Sequence, residues 1–368
     1  MKKRILSMLL ALAMVLGLMP NLGLTAEAAD ITYDLWVGGE QFTSEKLIIN
    51  DGSGTATYDP DTNTLTLNNY TYSGAGYSFD NNSDAAIYYG GTNPLNLELV
   101  GDNNRVTHSG NKDGYSYGIY VNDNIEISGT GSLTATGGAG AFSYGVSTKD
   151  ITISGSSSLT ATGGTADLQS YGMRAKGSII VNGGGLSATG GGDGHYSYGV
   201  SAGGGITISG SGSLTATGGT ATYNSNGVYT DGDITISGSG SLSATGGNVT
   251  INDSYGVSAN GGITINGGET IVQGNTSACN VAPSIDGALT VYDADDQAIA
   301  NPVWTGTGAL TYAKIAEKPA DPATTHSVRI SAVDATDGWV LSGAHLQILD
   351  EKGEVIVIEG SKVEWDGE

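Results

Sequence analysis

Ile125-Glu126-Ile127-Ser128-Gly129-Thr130-Gly131-Ser132-Leu133-Thr134-Ala135-Thr136-Gly137-Gly138 is the stretch that organises the chain, because it keeps returning. Degenerate copies begin at Ile151, Ile179, Ile206, Ile234 and Ile263, which are 26, 28, 27, 28 and 29 residues apart. A second landmark, Tyr-Gly-Val or a close variant, moves in step and places Gly118, Gly145, Gly172, Gly199, Gly227 and Gly256 just upstream of each Ile. Two landmarks at one shared period make each repeat one structural turn, too short to bury a core alone but able to do so by stacking.

Each turn carries three β-prone pieces, such as Tyr198-Gly199-Val200, Ile206-Thr207-Ile208 and Leu214-Thr215-Ala216, separated by Gly/Ser/Asn clusters suited to corners. Strand alternation sends both Ile of Ile-Thr-Ile inward, and Leu and Ala of Leu-Thr-Ala-Thr inward, with the Thr outward. Successive turns then pair as parallel strands, and parallel crossovers are right-handed in nearly all folds. The expected fold is all-β, a right-handed parallel β-helix. Leu65-Thr66-Leu67, Ala86-Ile87-Tyr88 and Leu95-Asn96-Leu97-Glu98-Leu99 extend it upstream, for roughly eight turns and a rod of about 35 to 40 Å.

The open strand edges of such a rod need covers. Residues 29–64 read as an N-terminal β cap with Trp36 and Tyr58 as anchors, 65–276 as the repeats, and 277–316 as a β-rich C-terminal cap or small domain. Residues 317–325, with Pro319 and Pro322, read as a linker, and 326–368 as a further β unit. At the start, Lys2-Lys3-Arg4, the apolar run Ile5 to Leu18 and Ala26-Glu27-Ala28 make the three parts of a secretory signal peptide over residues 1–28. No second apolar stretch follows, so no membrane span is expected after its removal. The expected location is secreted, extracellular or in the cell wall.

With 14 Lys and Arg against 37 Asp and Glu, the net charge is −23. That charge lacks the basic footprint of a nucleic-acid binder. It also repels anionic polymers unless a cation intervenes. Cys279 stands alone, so the chain cannot form an intramolecular disulfide; a buried thiol is the ordinary reading.

The run Tyr33-Asp34-Leu35-Trp36-Val37-Gly38-Gly39, the turn from Tyr58 to Leu67 and the repeats after it resemble β-helical surface proteins of Gram-positive gut bacteria. Some of those are carbohydrate-binding domains, including calcium-containing β-helices that bind plant polysaccharides. The segment from Val328 to Asp350 resembles the prealbumin-like B-type domain of collagen adhesins, with Ala332 where those domains usually carry a cross-linking lysine. The resemblances imply a non-enzymatic adhesin whose partner is a polysaccharide or host-surface glycan.

Two outward features suit that role. One is a ladder of hydroxyls, Thr134 and Thr136, Thr160 and Thr162, Thr215 and Thr217, with Ser243 and Thr245. It would hydrogen-bond sugars or, as a flat array, ice, although Ser187 and the uneven turn lengths disturb the regularity that ice requires; β-branched residues on a strand surface are the plain alternative. The other is the rank Tyr117, Tyr144, Tyr171, Tyr198 and Tyr255, interrupted by Asn226. Exposed rings would stack on sugar faces. Alternation instead puts each Tyr on the side of the apolar residue two positions on, unless the intervening Gly bends the chain.

A polysaccharide lyase needs a base and a hydrolase paired carboxylates. Asp150, Asp233, Arg174 and Lys176 are the nearest approach, and corner residues solvating a turn are the ordinary reading of them. His108, His195, His326 and His345 have no metal-ligand spacing and read as surface residues. Asp293-Ala294-Asp295-Asp296 reads as a polar turn rather than a calcium loop. No catalytic residue and no cofactor are expected; the acidic corners leave calcium open, and a purely structural stalk is the remaining alternative.

Overall fold

The computed structural model describes residues 30–192 and 194–318, and these are all-β with no helix. Three sheets wind into a parallel β-helix of about seven turns, close to the number the landmarks suggest. The signal-peptide and prealbumin-like readings, and the linker from Pro319 onward, fall on residues outside those described, while Glu317, read as the start of the linker, ends a strand. The described residues fall within a single compact unit.

The first sheet is built from the Tyr-Gly-Val pieces, running from Ser83–Tyr89 through Gly140–Thr148, Ala166–Ala175 and Gly194–Ala202 to Ser277–Cys279. The second holds the Ile-Thr-Ile pieces from Thr64–Asn68 to Ser284–Ile285, and the third the Leu-Thr-Ala-Thr pieces from Thr71–Gly74 to Thr270–Gln273. Parallel pairing therefore continues past the last full repeat, to Ile285. The unequal repeat lengths are taken up at corners: the connection from third to first sheet runs from Ala135 to Val146 in one turn and from Ala244 to Val257 in another, while the strands on either side stay in register.

Inside, Ile127, Ile153, Val181, Ile208, Ile236 and Ile265 stack in one column, and Leu133, Leu159, Leu186, Leu214 and Leu242 in a second. A third runs through Ile119, Val146, Met173, Val200, Val228 and Val257 to the buried Cys279. All are at most 3% exposed, so each turn buries its apolar side chains against the turns above and below.

The corner between the third and first sheets holds two devices. A column of buried serines precedes the tyrosines, and each hydroxyl ties two turns together. Ser143 Oγ donates to Gly138 O at 2.7 Å and accepts from Gly164 N at 2.7 Å, and Ser170, Ser197 and Ser225 repeat the pattern. Next to it, the third-sheet backbone comes so close that a Cβ on Gly172 would lie 2.4 Å from Thr189 N and 2.7 Å from Gly199 O. Gly145, Gly199 and Gly227 meet the equivalent backbone at 2.4 to 2.6 Å. Only glycine fits there.

His108 sits at this corner in the turn before the regular repeats begin, and it is 2% exposed rather than at the surface as its sequence context suggests. Its Nε2 lies 2.7 Å from Ala75 O and must donate. Nδ1 then accepts from Ser116 Oγ at 2.6 Å and Gly110 N at 3.2 Å, so the ring is neutral. Burial holds its pKa below the ordinary 6.5.

Both ends of the coil close with antiparallel strands. Thr32–Val37 lies against Ser83–Tyr89, and Thr55–Asp59 against Thr64–Asn68, with Phe42 and Tyr58 buried beneath. At the other end Tyr312–Glu317 covers Thr270–Gln273, Leu289–Tyr292 lies outside it, and Trp304 is buried. These added strands pair with the edges of the first and second sheets at the N-terminal end and of the third sheet at the C-terminal end, covering edges that would otherwise be open to association.

Two outcomes follow from the corner. Gly172→Ala should cost about 1–3 kcal/mol, read as a lower urea midpoint. Gly192→Ala, which has nothing within 4 Å of the added Cβ, should stay within about 0.5 kcal/mol of the parent. Because His108 is neutral when folded and takes up a proton on unfolding, stability should be full above pH 6.5 and fall as the pH drops below it. His108→Gln should flatten the fall in melting temperature between about pH 7.5 and 5.5.

Candidate functional site: the tyrosine face of the first sheet

Strand alternation alone would put Tyr144 and Val146 on one side. The bend at Gly145 breaks that rule: Val146 points into the core, while Tyr144 joins a separate aromatic cluster with Tyr117, Tyr171, Phe79, Tyr88, Tyr120, Phe142 and Tyr198. The glycine needed for close packing is therefore also what turns the tyrosine outward. Three ranks run along this outer face. Register aligns Tyr115 with Phe142, Gln169 and Tyr196; Tyr117 with Tyr144, Tyr171, Tyr198 and Asn226; and Tyr88 with Tyr120, Ser147, Arg174, Ser201 and Tyr229.

The central rank is a continuous stack. Ring centroids lie 4.8 Å apart for Tyr117 and Tyr144, 5.1 Å for Tyr144 and Tyr171, and 5.2 Å for Tyr171 and Tyr198, with interplanar angles of 14°, 1° and 20°. Tyr115 stacks on Phe142 at 4.6 Å, and Tyr117 meets Tyr120 edge-on at 5.1 Å. Parallel strand spacing nearly equals ring-stacking distance, so one aromatic per turn suffices to build the column. Each contact adds about 0.5–1.5 kcal/mol beyond area burial.

The rings of the rank therefore do not all have a free face. The faces of Tyr144 and Tyr171 are taken by their neighbours, and both residues are buried although they point outward. What remains is a strip of ring edges and hydroxyl tips, with Tyr198 at the end where Asn226 interrupts the column. Burial pushes the Tyr144 phenol up to about 12, so its hydroxyl stays protonated and able to donate.

One cation lies in this strip. Arg174 sits 5.2 Å from the Tyr171 ring centre and 5.9 Å from that of Tyr144, and its Nη1 donates to the Tyr144 hydroxyl at 3.2 Å. Lys176, two residues on and exposed, lies 5.8 Å from the Tyr120 ring. Neither is among the ion pairs of the described residues, which join Lys46 to Glu40, Lys149 to Asp123, and Lys314 to Glu269 and Asp296.

The threonine ladder lies on the third sheet, away from the tyrosines. Thr134, Thr160, Ser187, Thr215 and Ser243 form one column, and Thr136, Thr162, Thr189, Thr217 and Thr245 the other, in unbroken register despite the uneven turn lengths. Thr215 is exposed and Thr134, Thr136, Thr160, Thr162 and Thr217 are half-buried.

Asp150 and Asp233 do not converge. Asp150 and Asp233 occupy equivalent corners three turns apart, since Ile151, Ile179, Ile206 and Ile234 are successive partners. At the strand spacing that is about 14 Å, beyond the separation of paired glycosidase carboxylates. Each is engaged with backbone, Asp150 with Ser178 N at 2.6 Å and Asp233 with Gly262 N at 2.7 Å. Asp293 likewise accepts from Asp295 N and Gln297 N, and so shapes a turn. Among the described residues no three His, Cys, Asp or Glu are grouped so as to hold a metal.

Sequence reasoning missed Arg174 as a partner of the tyrosines. The available signal was its place two residues after the Gly172 of Tyr-Gly-Met, the same offset that puts Tyr120 and Tyr229 after Gly118 and Gly227. Removing one ring tests the stack. Tyr171→Ala should destabilise by about 3–5 kcal/mol, whereas Tyr171→Phe, which loses only the hydroxyl contact to Gln169 Oε1 at 2.5 Å, should cost about 1 kcal/mol or less; urea unfolding followed by near-ultraviolet circular dichroism distinguishes the two. Comparison with family models, curated proteins and solved structures found no match to this chain.

Proposed function

We propose that this is a secreted or surface-exposed carbohydrate-binding protein that acts without chemistry, holding an extended glycan along the tyrosine face of its β-helix. The observation that carries the reading is the concentration of aromatic rings on the outside of one sheet only. Along the regular repeats the interior holds Ile, Leu, Val and Ala with Met173, the core aromatics Phe42, Tyr58, Tyr70, Tyr89 and Trp304 lying nearer the two ends, while a separate run of rings lines the outer face of the first sheet. Aromatic surface with hydroxyl tips suits ligands that have both apolar faces and hydroxyls. A rigid backing of parallel strands keeps the strip ordered before binding, which lowers the entropic cost of association.

The separation of Asp150 from Asp233, and their engagement with backbone N–H groups, supports binding over hydrolysis. Export, as the N-terminal segment suggests, would place such a surface where polysaccharides are met. The threonine columns of the third sheet would serve as a second, weaker contact surface.

A glycan array probed with the full chain, with and without calcium, tests the reading. We expect retention of one polysaccharide class without release of oligosaccharides. Tyr198→Ala should weaken binding about tenfold while Thr215→Val changes it less than threefold, magnitudes set by the loss of one aromatic contact against one exposed hydroxyl. Release of sugar products would instead favour the lyase or hydrolase, and absence of binding to every glycan would favour a stalk.

A further inference from the structure

Arg174 is unusual within this molecule. The chain carries a net charge of −23, yet this guanidinium lies half-buried on the aromatic face, apart from the ion pairs of the described residues. A guanidinium has five N–H donors in a planar fork. One is committed, to the Tyr144 hydroxyl. Burying a cation this far without an anion is costly, and stacking on Tyr144 and Tyr171 offsets only part of that.

Its surroundings complete a site. In register on either side are the buried Ser147 and the half-buried Ser201, the tyrosines form the floor, and Lys176 lies two residues on, just past the end of the strand. Hydroxyls, a fork of N–H donors and a second cation, all on one aromatic face, match a single anionic substituent on a sugar ring. The rest of the molecule sets a limit on that ligand. An acidic rod repels a chain charged at every residue, so the fit is to a mostly neutral glycan bearing an isolated anionic group.

We propose that Arg174, with Lys176 and Ser201, forms a direct, calcium-independent subsite for one carboxylate or sulfate ester on an otherwise neutral glycan lying along the tyrosine face. This inference rests on the carbohydrate-binding reading and adds the charge of the ligand to it.

The test uses the full chain and three immobilised probes, N-acetyllactosamine, its 6-sulfated form and its sialylated form, in the presence of a chelator. Parent protein should bind at least one anionic probe about ten- to a hundredfold more tightly than the neutral one, the worth of a hydrogen bond to a charged group. Whichever anionic probe binds identifies sulfate or carboxylate as the preferred group. Arg174→Gln should remove the preference while leaving weak neutral binding, and Arg174→Lys should restore only part of it. Near-ultraviolet circular dichroism like that of the parent would show that the tyrosine stack survives in both variants. Should Arg174→Gln prove misfolded, Lys176→Gln and competition by inorganic sulfate carry the test, and both should reduce the preference. Equal binding of neutral and anionic probes, or a preference unchanged in Arg174→Gln, would overturn the subsite while the carbohydrate-binding reading stood. Failure to bind any of the three probes, together with silence across the wider glycan array, would overturn both.

Discussion

At the corner between the third and first sheets the backbone of one strand approaches the next more closely than any side chain allows, and the rest of the rod is arranged around that approach. Gly145, Gly172, Gly199 and Gly227 meet the backbone N–H of the third-sheet strand where a Cβ would lie at 2.4 to 2.6 Å. The bend that makes this possible lets Val146 and its equivalents stay in the core and sends Tyr144 and its equivalents outward. The serine beside each of these glycines then satisfies the backbone polar groups that the corner would otherwise leave buried and unpaired. Packing, hydrogen bonding and the aromatic face thus share one cause.

Glycine-rich composition in this chain has the opposite meaning from its usual one. A linker uses glycine for freedom, whereas here the glycines fall at fixed register positions where freedom has been removed. Chain entropy lost at each position is offset by backbone hydrogen bonds to two neighbouring turns and by burial of the apolar columns. Because each turn contacts only its neighbours, stability is close to a sum over turns and interfaces, and irregular features such as His108 are confined to the ends without disturbing the middle.

The aromatic face shows how a structural feature and a binding surface can coincide. Stacking spends the ring faces of Tyr144 and Tyr171 on each other, which fixes the column and leaves edges and hydroxyls for a ligand. Arg174 and Lys176 then add positive charge to a largely aromatic surface. A flexible aromatic patch would have to be ordered on binding; this one is held by the register of the sheet beneath it.

Periodicity alone was enough to reveal the repeat, its three strands, the inward Ile and Leu columns and the parallel pairing, because each follows from local alternation and a constant turn length. The single buried cysteine and the outward threonine columns were legible for the same reason. Four matters depended on the folded backbone or on contacts between turns and were out of reach of local rules. The direction of the tyrosines turned on a bend that alternation ignores, and His108 was buried by partners at Ala75, Gly110 and Ser116 on neighbouring turns. Arg174 acquired its role from Tyr144, a whole turn away, and Asp150 and Asp233 proved separate because their corners are three turns apart. Side-chain direction within a strand is a local property of the backbone, but which groups meet across strands is set only when the turns are stacked.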